Sequence, residues 1–113
     1  MLSLDDGTYL QVRAALQVLA ENGPQLGRPL VDSVSGSRHR NMKELRPGSA
    51  GRSEIRILFA FDARRAAIML LAGDKSGQWS KWYSRAVYEA DNLFDQHIEE
   101  QKEGGRTDGK DAG

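Results

Sequence analysis

The stretch that decides the fold is Asn41-Met-Lys-Glu-Leu-Arg-Pro-Gly-Ser-Ala-Gly-Arg-Ser-Glu-Ile-Arg-Ile-Leu-Phe-Ala-Phe61. Met42 to Arg46 and Arg52 to Phe61 alternate in side-chain character, the period-2 pattern of a strand with two different faces. Pro47-Gly-Ser-Ala-Gly51 between them is turn chemistry, so the pair predicts a β-hairpin. In the second strand Ile55, Ile57, Phe59 and Phe61 share one face, and Glu54, Arg56, Leu58 and Ala60 share the other. The face with Leu45, Ile57, Phe59 and Phe61 is expected to pack on helices. Glu44, Arg46 and Arg56 would then stand on an open face. Strict alternation sets Lys43 with Leu45 on the core side, close to a strand end where a bulge or its long stem can release it.

Working outward, Asp62-Ala-Arg-Arg65 reads as a second turn. Ala66 to Gly73 reads as a third strand, apolar on both faces as a central strand would be. Residues 24–40 are rich in loop formers, with a short extended piece around Leu30 to Val34. Residues 6–22 predict an amphipathic helix with Tyr9, Val12, Leu16 and Leu19 as its apolar stripe. Gly23-Pro24 stops it, because Gly accepts the left-handed conformation after a helix and Pro cannot continue one. Asp74 to Trp82 reads as a polar loop, and residues 84–101 as a last helix with Val87, Ala90, Leu93, Phe94, His97 and Ile98 on one stripe. The expectation is an α+β domain: a small antiparallel sheet of about three strands flanked by an N-terminal and a C-terminal helix. It occupies residues 1–102, with a disordered polar tail at 103–113.

Composition narrows the function. The 113 residues carry 16 basic and 16 acidic side chains, and this neutral total hides a strong segregation. Residues 36–85 hold 11 Lys/Arg against 4 Asp/Glu, whereas residues 86–113 hold 3 against 8. The predicted sheet is therefore basic, a surface suited to a polyanion. There is no cysteine, so disulfides and thiolate metal sites are excluded, which fits a reducing cytoplasm. His39 and His97 have no metal-ligand spacing, and neither a metal nor a cofactor is expected. The longest apolar run, Ala66 to Ala72, is too short to span a bilayer.

An open sheet face bearing Arg46 and Arg56, rimmed by Trp79, Trp82 and Tyr83, is physically suited to RNA. Lys75 shares the parity of Met69, Leu71 and Gly73 and can reach the same face. His39, Arg40, Arg52 and Lys81 extend the basic rim. Guanidinium groups bind phosphate bidentately, and aromatic rings stack unpaired bases. Such a site can cut RNA without metal by internal transesterification, with cations stabilising the charge that develops on phosphorus. Glu44 and His39 are candidate bases or acids, and Tyr83 can orient or exchange a proton. Plainer readings stand beside this one. Glu44 and Glu54 can simply pair with Arg46 and Arg56, and the aromatic residues can cover the core at the head of the last helix.

The ordered series Gly23-Pro24…Gly27-Arg-Pro-Leu-Val31, Asn41-Met-Lys-Glu-Leu-Arg-Pro47, Gly51-Arg-Ser-Glu-Ile-Arg-Ile-Leu-Phe-Ala-Phe-Asp62, Leu70-Leu-Ala-Gly-Asp-Lys75 and Trp82-Tyr83 resembles the HigB branch of the RelE/ParE toxin superfamily, including its phage-derived members. The resemblance spans roughly residues 8–100. It implies the toxin of a type II toxin–antitoxin module, a metal-independent mRNA endoribonuclease acting on the ribosome. The implied partner is a helix-turn-helix antitoxin, in a hetero-oligomer with no membrane association. By position it implies Arg56, Arg46, Lys43, Lys75 and Tyr83 as catalytic or phosphate-binding residues. Family members usually begin with a β-strand ahead of the first helix, whereas here Met1 stands almost at that helix; either the start is misplaced or the sheet has lost a strand and exposes an edge. The ParE branch poisons gyrase instead of cutting RNA, so a non-enzymatic interaction protein, or a decayed toxin that only binds its antitoxin, is the alternative.

Overall fold

The structure is a computed structural model that describes residues 6–48, 54–74 and 79–112, with residues 6, 79 and 104–112 as backbone only. Helix α1 spans Asp6–Asn22, the four strands are β1 Val31–Ser33, β2 Met42–Leu45, β3 Ile55–Phe61 and β4 Ala67–Asp74, and helix α2 spans Trp79–Ala112. All neighbours in the sheet are antiparallel, in the order β1-β2-β3-β4. The architecture is the expected α+β one. The short piece around Leu30 to Val34 joins the sheet as β1, so there are four strands where the sequence reading counted about three.

α1 ends where Gly23, at φ +69°, takes the left-handed conformation, and a single 3-10 turn at Gly23–Gln25 follows. Of its expected stripe, Leu19 is buried and Val12 and Leu16 pack against the same core cluster, and only Tyr9 falls outside it. Thr8, Ala15 and Leu19 face the core and Val12 is half-buried, whereas Tyr9 is exposed. One residue of helix is about a 100° turn, so a stripe centred on Thr8 carries Tyr9 out of the seam.

Two apolar clusters build the core, one on each face of the sheet. Ala15 and Leu19 of α1 pack with Val31, Leu45, Ile55, Ile57, Phe59 and Phe61. Phe59 and Phe61 meet edge to face, with ring centroids 5.5 Å apart. On the other face Ala86, Val87, Ala90 and Phe94 of α2 pack with Met42, Leu58 and Ala60. The alternation in β3 was therefore a true division between two faces, but neither face is open: the helices take opposite sides, and all seven residues of β3 are buried. Burying every residue is what a central strand between two helical layers requires. The apolar run Ala67–Asp74 has the edge position instead, and its burial alternates only partly. A register irregularity opposite Leu58/Phe59 leaves Leu70 without a counterpart in β3.

α2 begins at Trp79, earlier than the expected residue 84, and its backbone stays helical to Ala112. The expected start of the polar tail at residue 103 thus falls within the helical backbone. Leu93, placed on the apolar stripe by spacing, is 40% exposed, and Asp91 takes a place in the buried seam. The Asp91 carboxylate accepts from the Ser37 hydroxyl and from the Arg38 backbone N–H at 2.9 Å. Arg38 also pairs with Asp95, whose other oxygen lies 2.8 Å from His39 Nε2. These bonds tie the loop after β1 to the middle of α2.

Candidate active site

The α2-facing side of the sheet gathers the charged residues singled out in the sequence. The register pairs Glu44 with Leu58 and with Asp32, so all three share a face. Continuing that register one step past β2 sets Arg46 beside Arg56 on the same face. Arg46 lies 3.5 Å from both Asp32 and Glu44, through Nη1 and Nε respectively. It is half-buried and shared between two carboxylates, not the free cation the open-face reading expected.

Arg56 differs. It is 9% exposed, and its Nη1 donates to the Ile55 carbonyl at 2.9 Å. Its Nε is buried without a hydrogen-bond partner, and no carboxylate among the described residues pairs with the guanidinium. Glu54, the alternative partner two residues away, is exposed and uses its backbone N–H to bond Asp74 at 3.1 Å. An arginine taken from water normally finds an anion, because an uncompensated buried charge costs several kcal/mol, of the order of ~3–5. Among the described residues, then, the Arg56 guanidinium is held by a backbone carbonyl and by no carboxylate.

The head of α2 closes the other side of this patch. Gly73 pairs with Arg56 across the sheet, and the Trp82 indole lies against Gly73, 2.2 Å from where a Cβ would stand. Tyr83 follows, half-buried. Burial raises its pKa, the negative charges of Glu44 and Asp32 raise it further, and a backbone hydrogen bond from Ser35 partly opposes them. The phenol therefore stays protonated at neutral pH, near two carboxylates, and can act as a proton donor.

The remaining candidates are dispersed. Lys43 pairs with Ser33 and Phe59 and so lies on the α1 face, away from Arg56, as strict alternation predicted. His39 meets Phe94 edge to face at 4.9 Å and pairs with Asp95, farther along α2 than Tyr83. Arg40 and Lys81 are exposed. Lys75, Arg52 and the side chain of Trp79 lie outside the described residues. Asp32 is the member of the cluster that the sequence reading missed. Its signal was the alternation in Val31-Asp-Ser33, too short to weigh until β2 supplied a partner. As a set, two arginines, two carboxylates and a protonated phenol can bind a phosphodiester and move protons about it.

Comparison with known proteins establishes the family. Residues 1–95 match the family described as phage derived protein Gp49-like (DUF891). The chain is 62% identical over 95 residues to "Putative toxin HigB2" of Mycobacterium tuberculosis (strain ATCC 25618 / H37Rv), covering 84% of this chain and 47% of that protein. It is 47% identical over 103 residues to "Putative toxin HigB3" of the same organism, covering 91% of this chain and 88% of that protein. The chain thus spans about half the length of the first relative and most of the second. No solved structure matches it. With the family match covering α1, all four strands and the first half of α2, the chain belongs to the Gp49-like family of phage-derived proteins, with HigB-type toxins as its relatives.

Proposed function

We propose that this protein is the toxin of a type II toxin–antitoxin module and that it cuts mRNA on the ribosome by internal transesterification. The observation that carries this reading is Arg56, a nearly buried guanidinium with a free Nε and no carboxylate partner among the described residues. A phosphodiester is the anion such a group accepts, bidentately. In the reaction the ribose 2′-oxygen bonds to phosphorus as its proton passes to Glu44. The bond from phosphorus to the 5′-oxygen breaks, and Tyr83 gives that oxygen a proton. The products are a 2′,3′-cyclic phosphate and a 5′-hydroxyl end, with no metal required. Arg56 stabilises the phosphorane charge, an effect of the order of ~10²–10³ in rate for one preorganised donor. Arg46 and Lys75 guide the RNA strand, Trp82 stacks a base, and His39, Arg40, Arg52, Trp79 and Lys81 contact the flanking RNA; Lys43, on the α1 face, takes no part at this site. A helix-turn-helix antitoxin encoded beside the toxin restrains it in the cytoplasm.

The burial of Arg56 beneath the head of α2 favours a second reading, a non-enzymatic protein that binds its antitoxin or another target. The two separate on product chemistry. Purified protein added to translating ribosomes is expected to yield new mRNA fragments bearing 5′-hydroxyl ends. Absence of such fragments, with antitoxin binding intact, would establish the second reading.

A further inference from the structure

The sheet order leaves β4 on an edge, with its outer row of backbone N–H and C=O groups unpaired by any other described strand. Of the usual guards against strand addition, β4 carries only the irregularity at Leu70. Ala67-Ile-Met-Leu-Leu-Ala-Gly-Asp74 has no Pro and no Lys, and its only charge is the terminal Asp74. Beside this edge Ile68 and Leu70 of β4 and Leu93, Gln96 and Glu100 of α2 line a groove of about 240 Å³. Met69 and Leu93 are each 40% exposed there. Helical spacing extends the α2 side of the groove into the stripe Glu89, Leu93, Gln96, Glu100 and Glu103. None of its three glutamates has an ion-pair partner among the described residues.

We infer that the β4 edge and this groove take a short extended segment of a partner protein, with an apolar side chain for the groove and a basic residue on either side of it. The main chain of the segment would extend the sheet, and side chains at i and i+2 would face α2. Charge selects the partner: an apolar slot within an acidic stripe matches basic-apolar-basic alternation. A second copy of this chain fits poorly. Antiparallel pairing of two β4 edges keeps both α2 helices on one side of the joined sheet and brings two acidic stripes together. It also sets the irregularity at Leu70 against its own copy, whereas a short foreign segment needs only one of the two regular runs. This site is separate from the Arg56 cluster and stands whether or not that cluster cuts RNA.

The test is a titration of the full chain, followed by amide NMR, with the synthetic peptide Thr-Lys-Thr-Leu-Thr-Lys-Thr and with its counterpart carrying Glu at both Lys positions. The basic peptide is expected to shift amides of residues 67–74 and 89–100 and to slow hydrogen exchange along β4. The acidic peptide, or the basic peptide with the Glu89→Lys/Glu100→Lys variant, is expected to bind about tenfold more weakly or less. Equal binding of the two peptides, shifts elsewhere only, or a dimer in sedimentation that already protects β4 would overturn the inference.

Discussion

The indole of Trp82 fills the space beside Gly73 so closely that a Cβ at residue 73 would lie 2.2 Å from its Cζ2 atom. A rigid ring packed on a strand has no free end to swing aside. Gly73→Ala is therefore expected to displace the head of α2 and to cost about 1–3 kcal/mol, the range for overpacking a filled site. Urea denaturation monitored by tryptophan fluorescence measures this. An unchanged midpoint would mean that Trp82 does not rest on Gly73.

Asp91 is 2% exposed and holds the Ser37 hydroxyl and the Arg38 backbone N–H. Asp91→Ala leaves that part-buried N–H without its acceptor, at a cost of about 1 kcal/mol or more. Asp91→Asn keeps one acceptor oxygen and should lose less. Equal losses for the two variants in thermal denaturation would contradict the assignment of Asp91 as the acceptor that docks this loop.

Acid should loosen α2 from the sheet. The Asp62 carboxyl is held below the usual carboxylate range, first by His97 Nε2 at 3.0 Å and then by the Ala66 and Arg64 backbone N–H groups. Asp95 is held low first by Arg38 and then by His39. A carboxyl depressed in the native state contributes stability that is complete above its unfolded pKa and is lost as pH falls through the native one. The loss should therefore begin near about pH 4 and deepen below it. Thermal denaturation between pH 2 and 6 should show this limb in the wild type and a flatter one in Asp62→Asn/Asp95→Asn. Superimposable profiles would exclude these two groups as its source.

Tyr83 separates binding from chemistry. Its phenol is kept protonated by burial and by Glu44 and Asp32. Tyr83→Phe removes the donated proton and leaves the ring, so cleavage is expected to fall by the order of ~10²-fold while affinity for the RNA-bearing ribosome holds. A parallel loss of both would assign Tyr83 to binding alone.

Much of this was legible in the chain because local rules and tertiary packing agreed. Gly23-Pro24 ended α1 where it should, and the alternation in Ile55 to Phe61 matched two real faces. Periodicity says which residues share a face, but it does not say which helix covers that face. The open cationic surface was lost on this point, since α2 covers the side bearing Leu58 and Arg56. Phase errors of one helical residue misplaced Tyr9 and Leu93 for a related reason: a spacing of three or four is satisfied by two adjacent stripes. The pairing of Arg46 with Asp32 was invisible because it joins strands across a loop, and only the register of β1 on β2 brings them together.

The proposed cleavage depends on Arg56 receiving the scissile phosphate. Mapping mRNA 5′-hydroxyl ends from translating ribosomes, with wild-type protein and with Arg56→Gln and Arg56→Lys, tests it most directly, each variant first matched to wild type by denaturation midpoint. Ribosome-dependent cut ends are expected in the wild type, with a loss of about 10²–10³-fold in Arg56→Gln and partial retention in Arg56→Lys, which keeps the charge but not the bidentate fork. Identical end profiles for wild type and Arg56→Gln would contradict it.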